Sequence, residues 1–374
     1  MSISNFFHLF GKLGGDVENI FAPGRITLMG DHTDYNGGST LTYASKQGTT
    51  VLIRKRLEDN MARFASSNFP GIIKISLDEP IAFNPEHKWA NYAKGIVRMI
   101  QNSGRTVTGF DVLFSGNVAN EAGLASSASM QIALATALNN MFKFNFSAMD
   151  LAKLSYKAKT QFSRVHSELS APAAIALAQE DHALLLQCQS FASQLVPLNI
   201  EKNVLFLMDT NKRLGANEPL LQERRNECAK ALVTLQAAGA DIKHLSDLTT
   251  ASFTALSQHL DDTLRRRVNH VVTENHRVNQ AVTVLNAGNA KILGMLLNAS
   301  HASLRDDFEV SCHELNTIVE EAIKNPACLG ARMMGTGFGG CAIALVDKRK
   351  AEDFKHVVST EYEKIIGVAP SLYY

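Results

Sequence analysis

Residues 123–130 read Gly123-Leu124-Ala125-Ser126-Ser127-Ala128-Ser129-Met130, and helix-forming sequence continues through Leu138. A glycine and small hydroxyl residues just before a helix leave backbone N–H groups open at the positive end of the helix dipole. These amides suit a phosphate group, because small side chains leave room for an approaching anion. The stretch therefore predicts a phosphate-binding loop. Ser-Ser-Ala-Ser before a helix is also an ordinary capping sequence, and the stretch alone leaves this alternative open.

Two further glycine-rich segments lie on either side of this loop in the chain. Ala22 to Gly38 reads APGRITLMGDHTDYNGG, and Gly335 to Cys341 reads GTGFGGC ahead of the strand-like run 342–346. Closely spaced small residues let the backbone approach a ligand, since no side chains exclude it. A flexible hairpin turn is the alternative for the last segment, because glycine-rich turns are common. Three such segments in one chain favour a site for a phosphorylated ligand.

The composition is that of an ordinary globular protein, with 374 residues of which 45% are hydrophobic and 20% charged. This length allows two domains, at roughly 100 to 200 residues each. The 37 basic and 36 acidic side chains nearly cancel, so no field of one sign attracts nucleic acid or an anionic membrane. We therefore expect a small-molecule ligand, with neither nucleic acid nor membrane as a partner.

Targeting signals and cysteine usage limit the class of protein further. The chain shows no basic and apolar leader and no uninterrupted run of about 18 apolar residues, so a cytoplasmic protein is expected. The five cysteines are scattered and lack C-x-x-C spacing, which argues against a disulfide framework and against a structural zinc site. We expect all five to be small buried hydrophobic residues.

Hydrophobic periodicity predicts strands and helices in an α+β arrangement. Strands are predicted on both sides of a glycine-rich turn within 21–54, and at 72–77, 110–114, 184–186 and 204–208. Helices are predicted at 92–100, 129–140, 148–160, 219–238 and 264–285. Residues 190–202 are rich in turn-forming residues, so a junction is predicted there, with domains at 1–190 and 191–374.

The three glycine-rich segments, in this order, resemble the galactokinase family of the GHMP kinase superfamily. The first carries the signature run of that family, and the other two are similar to its G-L-S-S-S-A and M-T-G-A-G-F-G-G-C motifs. Segments 89–95, 224–228, 304–311 and 367–374 also look like galactokinase segments, so the resemblance covers nearly the whole chain.

The resemblance implies a two-domain α+β GHMP kinase fold. Its N-terminal domain would resemble the second domain of a small-subunit ribosomal protein and include an uncommon left-handed βαβ unit. Its C-terminal domain would be ferredoxin-like. Composition and periodicity do not show these features.

The resemblance also implies transfer of the γ-phosphoryl group of ATP in the presence of Mg²⁺. It places ATP on the loop formed by Gly123, Leu124, Ala125, Ser126, Ser127, Ala128 and Ser129, with the amides of residues 124–127 facing the phosphates. The Ser127 hydroxyl is the implied metal ligand, with that of Ser126 second. Trp89, the single tryptophan, resembles the aromatic residue near the family's adenine pocket, although core packing would also explain it.

The first motif carries the implied sugar contacts. Asp31, His32 and Asp34 offer directional donors and acceptors within four residues, which suits the hydroxyl groups of a sugar. Gly337 in the last loop is a further implied contact. Arg25 is the implied cation that steadies the transferring phosphate or the attacking hydroxyl, with a surface salt bridge as the alternative.

Several positions depart from the family pattern in the phosphate and sugar motifs. Glu121 stands where the family usually has glycine, and Ala125 replaces the first serine of the phosphate loop. Asp31 is one methylene shorter than the family's glutamate. A carboxylate beside a triphosphate is unfavourable unless it turns outward or meets the metal, so Glu121 is the least expected of these residues.

The largest departure falls on the family's catalytic carboxylate, which orients the sugar hydroxyl and accepts its proton. Alignment without gaps places Ala171 at this aspartate, and Leu221 at a tyrosine that contacts the sugar. Glu168 lies three residues before Ala171, hence on the same face if this stretch is helical, and is our candidate for a displaced catalytic carboxylate. The alternative is that Glu168 faces solvent.

Together these observations predict an ATP-dependent sugar kinase that phosphorylates the anomeric hydroxyl of galactose or a related hexose. Ala171 and Leu221 keep two alternatives open. One is a catalytically silent relative that binds sugar and ATP and reports on them to a partner protein, the one case in which we expect a protein partner. The other is a GHMP kinase for a different small alcohol.

Overall fold

The computed structural model describes residues 2–117, 123–165, 167–200, 202–212 and 218–374, so Glu121 lies outside the described residues. The helices in these ranges are α1 (Ile3–Phe10), α2 (Ala90–Asn102), α3 (Ser126–Phe142), α4 (Ala148–Lys157), α5 (Ser170–Ala176), α6 (Glu218–Ala237), α7 (Thr250–Leu256), α8 (Asp262–Asn286), α9 (Ala290–Asp306), α10 (His313–Lys324) and α11 (Ala351–Ile366). The strands are β1 (Glu18–Met29), β2 (Ser39–Lys55), β3 (Met61–Ser66), β4 (Ile72–Ser76), β5 (Phe110–Gly116), β6 (His182–Gln187), β7 (Ser193–Pro197), β8 (Asn203–Asp209), β9 (Cys328–Met333), β10 (Cys341–Asp347) and β11 (Ser371–Tyr373).

These elements group into two compact units, each discontinuous in sequence. Of the described residues, the first contains 2–25, 44–117, 124–165 and 167–178, and the second contains 26–43, 123, 179–200, 202–212 and 218–374. The first glycine-rich motif is therefore divided after Arg25. This grouping differs from a single boundary at residue 190, because residues 26–43 pack with the later part of the chain. The boundary between the two family domains stays a prediction.

In the first unit, the strands lie in the order β4, β3, β5 and residues 49–55 of β2. Strand β5 runs parallel to β3, with Val112 opposite Phe64, and antiparallel to β2, with Val112 opposite Ile53. Apolar side chains of these strands share one hydrophobic core with α2 and α3, where Ile96 and Leu134 are fully buried. Burial of this apolar surface fixes α3, and with it the loop that precedes α3.

Helix α3 begins at Ser126, three residues before the predicted start at residue 129. The sequence predicts a turn at the serines, because serine favours turns and caps over helix interiors. In the structure the break lies at Ala125, whose backbone is left-handed, and the serines form the first helical turn. The difference matters because it places the hydroxyl groups of Ser126 and Ser127 on the helix itself.

In the second unit, four antiparallel strands lie in the order β11, β8, β10 and β9. Residues 39–43 of β2 pair with β6, and β6 pairs with β7. The core of this unit includes Phe206, Val268, Leu304 and Phe354, which come from β8, α8, α9 and α11. This core holds β9 and β10, the two strands that enclose the last glycine-rich loop, as the sequence predicts.

Two sequence-based expectations need correction. Residues 190–202 contain a strand, β7, which pairs with β6 through Val196 opposite Ala183. Its run of five residues is short and mostly exposed, with Val196 as its buried residue, so periodicity does not separate it from the surrounding turns. Among the five free cysteines, Cys228 and Cys341 are buried, but the other three, Cys188, Cys312 and Cys328, are half-buried. Among the helices of the described residues, none combines the length and the apolar character that crossing a bilayer requires.

Candidate functional site

The start of helix α3 is open to a ligand. Ala125 precedes the helix with a φ of 57°, and its side chain makes no capping hydrogen bond. The N–H groups of the first helical turn, at residues 126–128, have no carbonyl partner within the helix. Gly123 also has a positive φ, of 79°, which glycine adopts without steric cost. The capping alternative is therefore wrong, because none of the serines occupies the capping position.

Ser129, by contrast, is engaged inside the first unit. Its side chain is fully buried, and its hydroxyl bonds with the carbonyl oxygen of Ala22 at 2.8 Å and with Oγ1 of Thr49 at 3.1 Å. Its backbone N–H donates to the carbonyl oxygen of Ala125 over 3.0 Å. Both polar groups are thus occupied. This corrects the expectation for Ser129, since the structure gives it a structural role in place of direct contact with ATP.

The first motif contacts the second at Leu124. The N–H of Arg25 donates to the carbonyl oxygen of Leu124 over 2.9 Å. Gly24 packs so closely here that an added Cβ would lie 3.0 Å from the same oxygen. The main chain of Arg25 therefore lies beside the phosphate loop, and its side chain is half-buried. These contacts agree with the implied place of Arg25, while the role of its guanidinium stays a prediction.

The first motif contacts the third through Asp31. The Asp31 side chain is 5% exposed, and its carboxylate accepts the N–H of Gly335 over 3.1 Å. The same carboxylate oxygen forms an ion pair with Arg332, which is fully buried. Asp31 therefore holds the last glycine-rich loop, and its contact with sugar stays a prediction. The motif alone did not reveal this role.

The third motif contacts the second through its first glycine. A Cβ added to Gly335 would lie 3.3 Å from Cα of Gly123, so the two backbones pack directly against each other. The N–H of Phe338 donates to the carbonyl oxygen of Val310 over 2.7 Å, and a Cβ on Gly337 would overlap that oxygen. These backbone contacts pack the loop against Val310, and the alternative of a flexible turn stays open. Close packing explains Gly337, and its contact with sugar stays a prediction.

His32 and Asp34 lie close to Asp31 in the second unit. The His32 ring packs against Phe308, with 4.7 Å between ring centroids, and its Nδ1 lies 3.0 Å from the Tyr35 hydroxyl. Burial holds the pKa of His32 well below its ordinary value of 6.5, so the ring is neutral at pH 7. Asp34 begins a short helical turn and accepts the N–H of Tyr35 over 3.0 Å. The structure therefore shows which neighbours hold His32 and Asp34. The contacts of these two side chains with a sugar stay predictions.

Behind Asp31 lies a buried charge network that sequence reasoning missed. Nη1 of Arg332 lies 3.4 Å from Oε1 of Glu274, and Nε of Arg277 lies 2.7 Å from Oε2 of Glu274. The Glu274 carboxylate also accepts the N–H of Gly30 over 2.8 Å. Burial by itself raises the pKa of Glu274, but Arg277 and Arg332 outweigh it and lower the pKa to about 2. The available signal was a charged residue in an otherwise apolar strand, CLGARM.

The segment that replaces the family's acid motif is not arranged as the spacing predicted. Helix α5 begins at Ser170, and Glu168 precedes it in non-helical backbone. The argument that Glu168 shares a helical face with Ala171 is therefore wrong. Glu168 and Ala171 are both half-buried, whereas Leu221 is a buried residue of α6. Whether Glu168 serves as the displaced carboxylate stays a prediction.

Trp89 lies in an aromatic cluster of the first unit. Its ring stacks on Phe69, with 6.1 Å between centroids, and meets the edge of Phe114 at 5.6 Å. Phe69 is 42% exposed, so the cluster has an open side. The ring is thus partly a core residue, as the packing alternative requires, and its contact with adenine stays a prediction.

Comparison with known proteins shows the family of the chain. Three family models match the chain: the galactokinase galactose-binding signature over residues 4–55, the GHMP kinases N terminal domain over residues 91–177, and GHMP kinases C terminal over residues 281–364. A galactokinase from Clostridium tetani is 40% identical over 98% of this chain and 93% of its own. One from Streptococcus thermophilus is 41% identical over 94% of this chain and 91% of its own.

Solved structures give the same result. The crystal structure of Lactococcus lactis galactokinase complexed with galactose matches with a TM-score of 0.93 and 37% identity, over 99% of this chain and 95% of that one. The mevalonate kinase of Methanococcus jannaschii matches with a TM-score of 0.69 at 16% identity, over 96% and 97% of the two chains, which shows the fold alone.

The two-domain α+β fold and the three glycine-rich segments define a GHMP kinase. Within that superfamily the family signature lies where Asp31, His32 and Asp34 are placed. Because its relatives are about 40% identical over nearly the full length, the chain belongs to the galactokinase family.

Proposed function

We propose that this protein is an ATP-dependent kinase that phosphorylates the anomeric hydroxyl of galactose or a related hexose, in the cytoplasm where ATP is supplied. The observation that carries the proposal is the pairwise contact of the three motifs: Arg25 with Leu124, Asp31 with Gly335, and Gly123 with Gly335. The family of the chain supports it, since its relatives are named galactokinases and one was solved with galactose.

The open helix start provides the means to hold a phosphate chain. Phosphoryl transfer needs charge stabilisation more than covalent help, because its transition state is loose and highly charged. The amides of Ser126 and Ser127 in the first turn of α3 would bind phosphate oxygens, aided by the helix dipole. The guanidinium of Arg25 would add a fixed positive charge beside them.

Mg²⁺ fits this donor set as part of the Mg·ATP substrate. In the part of the chain that the structure describes, no three His, Cys, Asp or Glu side chains are grouped to hold a metal ion. Mg²⁺ commonly keeps several waters and binds through substrate phosphates with one or two protein ligands. The hydroxyl of Ser127, a half-buried residue, is our proposed ligand, with that of Ser126 second. The ion would neutralise charge between the β- and γ-phosphates.

The acceptor side is the weaker part of the site. We propose that His32, Asp34 and Gly337 contact the sugar, with Asp31 nearby. Ala171 cannot orient or deprotonate the attacking hydroxyl, and loss of a general base typically lowers the rate by ~10²–10⁴-fold. Positioning and charge stabilisation persist without it, so we expect a slow kinase rather than an inert one.

A second candidate function is favoured by one observation, the alanine at position 171. A protein that binds sugar and ATP without transferring phosphate would report on both ligands to a partner protein. The intact phosphate loop suits this function equally well. Only turnover separates the two candidates.

An ATP-consumption screen over hexoses and polyols, with and without Mg²⁺, tests the proposal. We expect slow, Mg²⁺-dependent consumption with galactose or a related hexose. Binding of sugar and ATP without consumption would support the sensor. Faster consumption with a polyol than with any hexose would identify a kinase for a different alcohol.

Glu168→Gln tests the displaced carboxylate, because the change keeps the shape and removes the charge and the basicity. We expect it to remove most residual transfer while the affinity for Mg·ATP stays unchanged. Glu180→Gln is the matched control, since Glu180 is exposed. Equal rates in the two variants would exclude Glu168 from catalysis.

A further inference from the structure

Arg332 has a single defined position in the fold. It lies on β9, three residues before Gly335, and is fully buried. Its Nε donates to the carbonyl oxygen of Met333 over 2.8 Å, and its Nη1 donates to that of Leu28 over 3.0 Å. Its Nη2 pairs with Asp31. A planar guanidinium that is bound at all three nitrogens has little freedom to reorient.

The opposite side of Arg332 is held by Glu274. That carboxylate accepts from Arg277 over 2.7 Å and from the Ser300 hydroxyl over 2.8 Å. The buried Asp31, Arg332 and Glu274 and the half-buried Arg277 thus alternate in charge, which keeps each charge paired. Arg332 therefore joins the first motif to α8 and to the strand that leads into the third motif.

The length of Asp31 decides what its carboxylate can reach. One oxygen, Oδ2, meets both Arg332 and the N–H of Gly335. A glutamate, one methylene longer, would place its carboxylate further from the main chain. In this chain the shorter acid accepts the N–H of Gly335, and Gly335 in turn packs on Gly123.

We propose that Arg332 is a positioning residue that, through Asp31, fixes Gly335 against the phosphate loop, so that Asp31 serves nucleotide binding and not sugar binding. The inference rests on the proposed function for the identity of both ligands. It differs from the sugar contact that the family motif implies for this position.

Equilibrium binding to Asp31→Asn tests the inference without turnover. The substitution keeps the size of the side chain and removes the charge, while Arg332 retains Glu274. We expect the Kd for a non-hydrolysable Mg·ATP analogue to rise at least tenfold, as expected for loss of a hydrogen bond to a charged group. We expect the Kd for galactose to change less than about threefold, because the lost bond supports only the nucleotide side of the site. Asp262→Asn, which removes a surface pair with Arg265, is the matched control.

The opposite result, weakened galactose binding with unchanged nucleotide binding, would overturn the inference. So would unchanged binding of both ligands, or loss of both in a variant with wild-type melting temperature. If the wild-type protein binds no galactose, the proposed function fails, but the nucleotide measurement on Asp31→Asn still decides this inference.

Arg332→Lys provides a second test that does not depend on Asp31→Asn alone. Lysine keeps the charge but lacks the fork that holds both carboxylates, so we expect a higher KM for ATP with an unchanged KM for the sugar. Adding Asp31→Glu to this variant lengthens the acidic side chain at position 31, so that it reaches the lysine side chain at position 332. We expect the double variant to recover nucleotide affinity, and strictly additive losses would contradict a direct pair.

Discussion

Helices α3 and α5 begin in the two loops where the family has its phosphate motif and its acid motif, and their first turns differ. At α3, Ala125 replaces a serine, yet the open amides of Ser126 and Ser127 are retained. At α5, which contains Ala171, the resemblance predicts that a single substitution removes the family's carboxylate. A site made from backbone groups tolerates substitution of side chains, whereas a site made from one side chain does not.

This contrast separates binding from turnover. The phosphate loop depends on helix geometry that the hydrophobic core of the first unit enforces, through residues such as Leu134. The catalytic carboxylate, in contrast, depends on a single side chain. A chain of this kind is expected to keep its affinity for nucleotide while its rate of transfer falls.

Ala171→Asp is the change that tests the contrast most strongly. Asp is favoured in the first turn of a helix, so the variant should fold, and we expect transfer to galactose to rise by ~10²–10⁴-fold. Steady-state rates with Mg·ATP and galactose measure it, and Ala171→Asn is the uncharged control. A wild-type rate already in the kinase range of roughly 1–100 s⁻¹ would contradict our view of Ala171.

Ser127→Ala tests the side of the contrast that is intact. Loss of a ligand to the metal should weaken Mg²⁺-dependent nucleotide binding by about 10-fold or more, as expected for a contact with a charged group of about 1.5–3 kcal/mol. Titration calorimetry with and without Mg²⁺ gives the affinity. Ser126→Ala should have the smaller effect, and equal affinity in wild type and Ser127→Ala would remove Ser127 from the site.

Ser129→Ala tests whether the buried serine of the loop serves stability and not nucleotide binding. The variant leaves the buried carbonyl oxygen of Ala22 without its 2.8 Å hydrogen bond, so we expect the free energy of unfolding to fall by about 1–3 kcal/mol. Urea denaturation measures this loss. Nucleotide affinity should stay within about twofold, and a larger loss of affinity in a stable variant would return Ser129 to the ATP site.

Acidification tests the hydrogen bond between His301 and Met333, which lies just before the third glycine-rich segment. We expect this change to have the smallest effect. Burial, followed by Arg305 and Arg332, lowers the pKa of His301 from 6.5 to about 4, although Asp306 opposes this. Its Nδ1 accepts the N–H of Met333 over 3.2 Å, which requires the neutral ring. A lowered histidine pKa contributes stability that is complete above pH 6.5 and is lost as the pH falls toward 4, by at most about 1.4 kcal/mol per pH unit.

Urea midpoints at pH 7 and pH 5 measure this dependence. His301→Gln keeps an acceptor for Met333 but cannot titrate, so its loss of stability on acidification should be smaller than that of wild type. Identical losses in the two proteins would show that His301 does not control this range.

Local patterns predicted the elements well, because periodicity reports on burial of one face. The helices expected at 92–100 and 264–285 lie within α2 and α8, and the strand at 204–208 lies within β8. Strand β7 was missed for the same reason, since its five residues are mostly exposed and bury only Val196. The helical face assumed for Glu168 was wrong, because nothing in the spacing shows where α5 begins.

The candidate site was predicted only as far as its motifs extend. The three motifs, in their order along the chain, predicted which loops form the site. The contacts between these loops depend on the folded structure and could not be predicted from the motifs. The pairing of Asp31, Glu274 and Arg332 links residues far apart in sequence, and charge at each position alone suggests an exposed residue. Ser129 was assigned to ATP because a sequence does not show which hydroxyl is turned into the core.

The hydrogen bond from Gly335 to Asp31 makes the opening of the last loop measurable by amide hydrogen exchange. A backbone amide that donates to a buried carboxylate exchanges its hydrogen with solvent only when that contact opens, whereas ordinary loop amides exchange freely. The deuterium uptake of this one amide therefore reports how often the glycine loop departs from its place, in the resting protein and at each stage of ligand occupancy.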